Sequence, residues 1–549
     1  MMRDKLQVMK FGGTSVGNAE CIRRAADIVS RAAGAGSVVV VVSAMSGVTN
    51  RLMEAAQASA AGDMGAAGNL AETLRQQHQE PIDTLIGDED QRTELAAQLN
   101  EIVEEVTSLC RGTALLRELT PRTLDAISSM GERLSARLLA GVLREMGVSA
   151  TAIEATELIV TDNHSCRAEP LMTETRERAT ARLAPLLAEG SVPVVTGFIG
   201  ATVEGKLTTL GRGGSDYSAT ILGAALDAKE IIIWTDVDGV LTADPRLVPQ
   251  ARTLQEISYS EAAELAYFGA KVLHPKTLRP VSEAGIPVWI RNSFLPEENG
   301  TKITATGHPT RRGVKAITAM SNVTMITVGG RGIVGLPGVA AKTFTAAASA
   351  QANVLLISQS SSGNDICFII DSGDADQTVA ELRAAFASDL AHKEVEHITV
   401  NADIAIVAVV GERMRGMPGI AGRAFGALGR RGINIIAIAQ GSSEYNVSLV
   451  VEAGLMREVV QALHSEFDLQ RRASRFESIT VGSPKNSRES GVSSPESEKG
   501  FVLTRDSRLQ TPDSRLQTPD SRLQTQHPYC IDTSGEGRYK NNEIRRITL

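Results

Sequence analysis

The segment Val8-Met9-Lys10-Phe11-Gly12-Gly13-Thr14-Ser15 passes from an apolar run directly into a glycine turn. The run has the character of a buried strand, and the glycines let the backbone turn sharply and direct several N–H groups at one point. Lys10 adds a cation and the hydroxyls add donors, so the segment predicts a strand that ends in a phosphate-binding turn. A tight turn with a surface lysine is the alternative. Neither a Walker A loop nor the protein-kinase HRD and DFG motifs occur in the sequence.

Strand-like and helical segments alternate through about the first 300 residues, which indicates an α/β unit with a mostly parallel sheet. The predicted strands are residues 8–11, 38–42, 192–198 and 231–235, and predicted helices include 134–143 and 261–267. Residues 53–64 and 72–105 are interpreted as a polar helical insertion that serves as a lid or cap. Turn formers over residues 292–310 indicate a loop and the first domain boundary.

An internal repeat with an offset of 81 residues organises the region that follows. Gly335-Leu336-Pro337-Gly338 aligns with Gly416-Met417-Pro418-Gly419, Phe344 with Phe425, and Gln359 with Gln440. Each copy predicts a strand, a Pro-Gly loop, a helix and two further strands, which together form an antiparallel sheet with helices on one face. The sequence 330–335 fits the dinucleotide pattern GxGxxG, but the second copy breaks that pattern, so the loop is assigned to the repeat fold.

Composition excludes several classes of function. The 549 residues are 42% hydrophobic and 22% charged, as expected of three or four globular units. Lys and Arg number 56 against 64 Asp and Glu, so the net charge of -8 disfavours nucleic acid and anionic membranes as partners. With no apolar run of about 18 residues and no signal-peptide pattern, a cytoplasmic protein is expected.

Cysteine spacing and the C-terminal composition set two further expectations. The five cysteines lie far apart without a CxxC pair, so neither a disulfide framework nor a thiolate metal site is expected, and no metal-ligating residues are assigned. Residues 482–549 are of low complexity and contain a repeated seven-residue unit, which predicts a disordered tail.

Three further motifs carry a family resemblance when they are taken together with residues 10–16. They are the glycine loop 210–219, the strand end 234–239 and the segment 268–275. In this order they resemble aspartokinase, and the resemblance covers about residues 5–480. It implies a three-layer, carbamate-kinase-like amino-acid-kinase domain over 1–305 and two ferredoxin-like α+β ACT domains over 316–397 and 400–481. The homoserine dehydrogenase region of bifunctional relatives is not expected.

The resemblance also implies an activity. Aspartokinases transfer the γ-phosphoryl group of ATP to the side-chain carboxylate of L-aspartate, with Mg²⁺, and open lysine, threonine and methionine synthesis. Lys10 would neutralise charge on the transferred group, while Arg212 and Asp216 would position aspartate and phosphate; the alternative for the latter two is a surface ion pair. Substrate-binding positions carried over from the family are Gly12, Gly13, Thr14, Ser15, Ser43, Thr49 and Glu132.

Glu132 matches the family glutamate that pairs with the ammonium group of aspartate, although a first-turn acid stabilised by a helix dipole is the alternative. ATP-binding positions implied by the resemblance are Lys10, Thr235, Asp236, Leu241, Arg246 and Lys271. Leu241 stands where some relatives have a tyrosine that lies against the nucleotide. His274 precedes Pro275 and is interpreted as a structural residue at a helix end.

Gln359 and Gln440 resemble the effector-binding glutamines of threonine-sensitive aspartokinases. Feedback inhibition by an amino acid, threonine rather than lysine, is therefore expected. Exposed edges of ACT sheets predict a homodimer or a larger homo-oligomer. Two alternatives remain: a catalytically silent amino-acid sensor, and a kinase of the same fold for another carboxylate or a carbamate.

Overall fold

The computed structural model describes residues 6–270, 273–307, 313–331, 338–359, 365–414, 416–441 and 445–471. The expected ATP ligand Lys271 and the tail 482–549 lie outside these residues. No helix in the described part of the chain is long and apolar enough to cross a membrane.

The first region is built on one large sheet. Its strands in chain order are β1 (Gln7–Phe11), β2 (Val38–Val42), β3 (Ala150–Ile153), β4 (Val160–Thr161), β5 (Val192–Thr196), β6 (Ile199–Thr202), β7 (Leu207–Thr209), β8 (Glu230–Thr235), β9 (Glu256–Ser258), β10 (Val288–Asn292) and β11 (Thr301–Thr304). Eight of them form the order β3-β5-β2-β1-β8-β10-β11-β9, and β4, β6 and β7 form a small second sheet. The strands from β3 through β10 in that order pair in parallel, so their carboxyl ends meet at one edge.

Helices cover both faces of the large sheet and give the three layers. They are α1 (Ala19–Ala33), α2 (Val48–Ala60), α3 (Ala66–Leu85), α4 (Glu89–Leu116), α5 (Pro121–Ser128), α6 (Met130–Glu145), α7 (Met172–Ala188), α8 (Gly214–Ala225), α9 (Tyr259–Tyr267) and α10 (Pro275–Ala284). All five central valines of β2 are buried, as expected of a parallel strand covered on both faces.

Two sequence-based expectations for this region were wrong. The helices α2, α3 and α4 are not a polar cover, because Leu52, Leu74 and Leu99 bury their side chains in the same core as β1 and β2. Alanine-rich spacing hid this apolar stripe. The segment 292–310 is not one loop, since it contains β11, which pairs with β10.

The second region contains the repeated unit. Its elements are β12 (Ala316–Gly329), α11 (Val339–Ser349), β13 (Leu356–Gln359), β14 (Asp365–Asp371), α12 (Ala375–Ala385), α13 (Ala387–His392), β15 (His397–Val410), α14 (Ile420–Gly429), β16 (Ala437–Ala439), β17 (Asn446–Glu452) and α15 (Met456–Glu466). The antiparallel sheet order is β13-β14-β12-β15-β17-β16. The predicted antiparallel α+β architecture is confirmed.

The two copies complete each other's sheets. The strands β12 and β15 are each 14 residues long and occupy equivalent positions in the repeat. The first half of β12 pairs with the second half of β15, whereas its second half pairs with both β14 and the first half of β15. The change of register falls between Met320 and Met325. This exchange of strands was not foreseen from the sequence.

The helix α9 and the segment after β8 connect the first region to the repeat. Glu261 in α9 forms a buried ion pair with Lys315 at 2.6 Å and accepts the Glu412 N–H at 2.8 Å. Thr242, in the segment after β8, hydrogen-bonds His464 of α15 at 3.0 Å. Elements that border the carboxyl edge of the large sheet are therefore in direct contact with the repeat.

Candidate active site

The carboxyl edge of the large sheet carries several of the predicted site residues. The ends of β1, β2 and β8 place Lys10, Ser43 and Thr235 at this edge. The Ser43 N–H donates to the Phe11 carbonyl at 3.0 Å, and the Gly12 N–H donates to the Trp234 carbonyl at 3.1 Å. Strand pairing thus continues into the loops that carry the predicted site residues and fixes the relative positions of these loops.

Lys10 lies at the centre of the site and is 8% exposed. Its Nζ is 2.5 Å from Oδ1 of Asp216, in the first turn of α8. The alternative of a surface ion pair between Arg212 and Asp216 does not hold, because Asp216 pairs with Lys10. A largely desolvated cation held by a carboxylate is suited to meet an incoming anionic group.

The glycine turn after β1 forms a single 3₁₀ turn, Gly13–Val16, with Gly12 before it. A Cβ atom on Gly13 would lie 2.9 Å from the Ala44 carbonyl oxygen, so a larger residue does not fit there. Thr14 is exposed, whereas Ser15 is buried. Ser15 Oγ is 2.8 Å from Ser293 Oγ, and Ser293 Oγ also donates to the Thr235 carbonyl at 3.1 Å.

Ser293 and its neighbour Asn292 were missed by the sequence analysis. They stand at the carboxyl end of β10, which pairs with β8, and Asn292 Nδ2 donates to Asp238 Oδ1 at 2.6 Å. Assigning residues 292–310 to a boundary loop concealed them. The available signal was the polar stretch 291–293 after the apolar residues 288–290, which is similar to the pattern that marked Thr235 and Asp236.

Glu132 lies in the first turn of the helix α6 and is 3% exposed. Burial raises the pKa of its carboxyl to about 8, while the Ala44 N–H and the Lys10 cation act in the opposite direction. Its Oε2 has no hydrogen-bond partner among the described residues. A buried carboxyl group with an unused acceptor oxygen near a cation is unlike a solvated first-turn acid, and it is suited to receive a charged donor. Thr49 lies in the first turn of α2 and is half-buried.

The glycine loop before α8 carries Arg212. Gly211 and Gly213 have φ values of 76° and 70°, in the left-handed region that favours glycine. Arg212 is exposed and has no ion-pair partner in the part of the chain that the structure describes. Its charge, after burial and Lys276, contributes to lowering the pKa of His274. His274 caps the start of α10, where its Nδ1 accepts the Lys276 N–H, so the predicted helix-end role is confirmed.

Four of the predicted ATP-binding residues, Thr235, Asp236, Leu241 and Arg246, lie at the end of β8 and in the segment that follows it. Thr235 Oγ1 donates to Asp236 Oδ1 at 3.2 Å, and Leu241 is half-buried in a bridge with Thr253. Arg246 is exposed and pairs with Asp244 at 2.5 Å, so it would have to leave this partner to reach a phosphate. No cluster of three or more metal-ligating side chains is present among the described residues.

The two predicted effector glutamines occupy matching positions in the repeat. Gln359 is the last residue of β13 and Gln440 follows β16, and both are exposed. The strands β13 and β16 stand at the two ends of the sheet order and lie close to each other. The polar residues 360–364 and 442–444 lie outside the described residues.

Comparison with known families agrees with this architecture. The profile of the Amino acid kinase family matches residues 5–292, and that of the ACT domain matches residues 326–386 and 407–467. Among solved structures, E. coli aspartokinase III in complex with aspartate and ADP (R-state) is similar with a TM-score of 0.71 and 32% identity. The similarity covers 84% of this chain and 99% of that one. The same protein has been solved with lysine and aspartate in a T-state, at a TM-score of 0.69.

Curated relatives include both monofunctional and bifunctional proteins. Aspartokinase 1, chloroplastic, of Arabidopsis thaliana is 35% identical over 84% of this chain and 80% of its own length. Bifunctional aspartokinase/homoserine dehydrogenase 1, chloroplastic, of Arabidopsis thaliana is 36% identical over 85% of this chain. The chain spans 52% of the length of that bifunctional relative.

Proposed function

The chain belongs to the amino acid kinase family, among its aspartokinases, and we propose that it transfers the γ-phosphoryl group of ATP to the side-chain carboxylate of L-aspartate. The product is 4-phospho-L-aspartate, at the entry to lysine, threonine and methionine synthesis. The observation that carries the proposal is the buried Lys10, paired with Asp216 and acting on the pKa of Glu132, beside a glycine turn. Substrate ammonium, substrate carboxylate and phosphate each have a complementary group there.

The chemistry requires positioning and charge stabilisation. A carboxylate oxygen of aspartate attacks the γ-phosphorus while the bond to the bridging oxygen breaks, giving an acyl phosphate and ADP. Because the attacking carboxylate is already ionised near neutral pH, no general base is needed. Lys10 and the N–H groups of the glycine turn neutralise charge on the phosphoryl oxygens.

The remaining site residues bind the substrates. Glu132 receives the ammonium group of aspartate, which lowers the pKa of Glu132 as the two charges meet. Arg212 is the exposed cation for a carboxylate or phosphate oxygen, and Ser43 and Thr49 supply hydroxyls from the edge at β2 and α2. These roles come from the family resemblance and are supported by the placement of the residues at one sheet edge.

The end of β8 and the segment that follows it carry hydroxyl, carboxylate and cationic groups suited to ATP and its metal ion. Thr235, Asp236, Leu241, Arg246 and Lys271 are the proposed nucleotide contacts. Mg²⁺ is usually held by one or two carboxylates together with substrate phosphates, so Asp236 and Asp238 are suitable oxygen ligands. When bound, the ion would neutralise charge on the phosphates.

Aspartyl hydroxamate formation with ATP, Mg²⁺ and L-aspartate tests the proposal directly. Lys10→Met should lower kcat about 10²- to 10³-fold, the cost of removing one preorganised donor. Lys229→Met is the matched control, because Lys229 is exposed in the turn that enters β8, at the opposite end of the strand. A wild-type protein that forms no hydroxamate from aspartate would overturn the assignment. Activity with a different carboxylate would favour the same-fold kinase for that substrate.

Threonine is the proposed feedback inhibitor, bound through Gln359 and Gln440. Support comes from the equivalent, exposed positions of the two glutamines and from the ACT match. Hydroxamate formation should fall as threonine is titrated and be unaffected by lysine. Gln359→Ala and Gln440→Ala should weaken this inhibition, whereas Gln377→Ala, exposed on α12, should not. Inhibition by lysine alone would contradict the choice of effector, and threonine binding without phosphoryl transfer would favour the sensor.

A homodimer or larger homo-oligomer is proposed through the repeat. The outer strands carry exposed apolar residues, Ile357 on β13 and Ile438 on β16, that suit pairing with another chain. Light scattering coupled to size exclusion should give at least twice the monomer mass of 58.2 kDa. A monomer at micromolar concentration would contradict this proposal.

A further inference from the structure

Asp125 in α5 is a fully buried carboxylate that the proposed chemistry does not use. It has no ion-pair partner within the described ranges. Instead it accepts three contacts: the Cys166 N–H reaches both carboxylate oxygens, at 3.0 and 3.1 Å, and the Thr209 hydroxyl donates to Oδ1 at 2.6 Å. Because an isolated buried carboxylate is costly, these neutral donors must hold it in place, and it holds them in turn.

The first segment held by Asp125 is a tight turn that ends at Arg167. The Arg167 N–H approaches the His164 carbonyl at 3.4 Å, and Cys166 has a φ of 65°, which residues other than glycine rarely adopt. The Cys166 thiol is not a reactive group here, because burial and the Asp125 charge raise its pKa to about 11. The contact with Asp125 therefore matters for the backbone of this turn.

This turn abuts the glycine loop. A Cβ atom on Gly211 would lie 2.9 Å from the Cys166 carbonyl oxygen, so the two backbones are in close contact. The second segment held by Asp125 ends in Thr209, the last residue of β7, two positions before Gly211. The Ala168 N–H donates to the Thr209 carbonyl at 2.9 Å and ties the two segments together.

The glycine loop carries Arg212 and leads into Asp216, the partner of Lys10. On the other side, α5 continues almost directly into α6, where Glu132 follows Asp125 by seven residues, or two helical turns. The buried carboxylate thus stands between the element that bears Glu132 and the loop that bears Arg212.

We propose that Asp125 is a positioning residue for the glycine loop. By fixing the turn at Cys166 and the end of β7, it sets Arg212 and Asp216 relative to Glu132. The expected change in the KM for aspartate rests on the proposed function, whereas the expected loosening of the glycine loop does not. A neutral residue in place of the carboxylate loosens the loop while the nucleotide segment after β8 keeps its own contacts.

Kinetics of Asp125→Asn test the proposal. The KM for aspartate should rise about 10- to 100-fold and kcat should fall, while the KM for ATP stays within about 2-fold, because a misplaced loop affects the groups it carries. Asp83→Asn, an exposed acid on α3, is the matched control and should match the wild type. A merely structural role would lower the active fraction and hence kcat without raising the KM for aspartate.

A rescue experiment addresses the strained turn. Glycine adopts a φ of 65° at no steric cost, so Cys166→Gly alone should be near wild type, and the double variant Asp125→Asn/Cys166→Gly should recover part of the lost affinity for aspartate. Thr209→Val removes one hydrogen-bond donor without changing the shape of the side chain, and it should raise the KM for aspartate less than Asp125→Asn does. Thr209→Val is the test variant if Asp125→Asn does not fold.

Hydrogen exchange separates this inference from the proposed function. In Asp125→Asn or Thr209→Val, amides of residues 209–216 should exchange at least about 10-fold faster than in the wild type, with β1 and β2 unchanged. This holds even if the wild type forms no aspartyl hydroxamate, a result that would overturn the function alone. Unchanged exchange in this loop, or unchanged aspartate KM in an active protein, would overturn the role of Asp125.

Discussion

Removing the ammonium group of Lys315 should destabilise the protein strongly. Lys315 and Glu261 are 6% and 1% exposed, and their charged atoms are 2.6 Å apart. Glu261 also accepts the Ser258 and Glu412 N–H groups at 2.9 and 2.8 Å, so its carboxylate has two backbone donors and one cation. Lys315→Met leaves a desolvated carboxylate without that cation, which costs about 3–5 kcal/mol.

Urea unfolding followed by tryptophan fluorescence measures this loss. Both tryptophans, Trp234 and Trp289, lie on strands of the large sheet, so the signal reports that region. Arg279→Met is the matched control: it breaks an exposed pair with Glu283 at 3.3 Å and should cost less than about 0.5 kcal/mol.

The double variant Glu261→Gln/Lys315→Met sharpens the test. It removes both charges, so its loss should be smaller than the sum of the two single losses, with a coupling of about 1–3 kcal/mol. A Lys315→Met protein within about 0.5 kcal/mol of the wild type would refute the argument that the buried carboxylate depends on this cation.

Three further predictions concern protons and the glycine turn. Burial lowers the pKa of His78 from 6.5 to about 4, so the unfolded chain binds more protons between these values. The free energy of unfolding should therefore fall by up to about 1.4 kcal/mol per pH unit as pH drops from 6.5 to about 4. The urea midpoints of His78→Leu should lack this part of the pH dependence. The raised pKa of Glu132 predicts the opposite pH dependence, because its contribution to stability is lost as pH rises from 4.5 to about 8. The free energy of unfolding of Glu132→Gln, measured with urea, should therefore increase relative to that of the wild type as pH approaches 8.5. Ser293→Ala removes the contact with Ser15 and should raise the KM for ATP about 2- to 10-fold in initial-rate assays, the equivalent of one hydrogen bond.

Exposed counterparts serve as controls for these three variants. His392→Leu, Glu54→Gln and Ser282→Ala change solvent-exposed residues of the same kinds. A pH profile of His78→Leu that parallels the wild type would contradict the buried neutral histidine. Parallel profiles for Glu132→Gln would contradict the raised pKa of Glu132, and an unchanged KM in Ser293→Ala would show that the turn does not need this hydroxyl.

Local patterns in the sequence predicted the parts of the fold that depend on neighbouring residues. The apolar run 38–42 became β2 with the same bounds, because five valines in a row are stable only where both faces of a strand are covered. The repeat predicted equivalent elements at Gln359 and Gln440. The glycine turn at Gly12 and Gly13 lies at the end of β1 as expected.

Pairings across long sequence distances could not be predicted in this way. The partner of Asp216 is Lys10 and not Arg212, a choice that depends on how α8 packs against β1. The strand exchange between β12 and β15 required the register of two strands that are separated by a complete copy of the repeat.

The sequence by itself determined the class of chemistry, since the phosphate turn, the glycine loop and the acidic strand end are local motifs whose residue types set what they can bind. Only the tertiary structure decided which side chains support those motifs. Ser293 meets Ser15, and Asp125 holds Thr209, because parallel pairing and helix packing bring distant segments together. Burial sets the strength of these contacts, and it also raises the pKa of Glu132. Burial is a property of the packed molecule and not of any one segment.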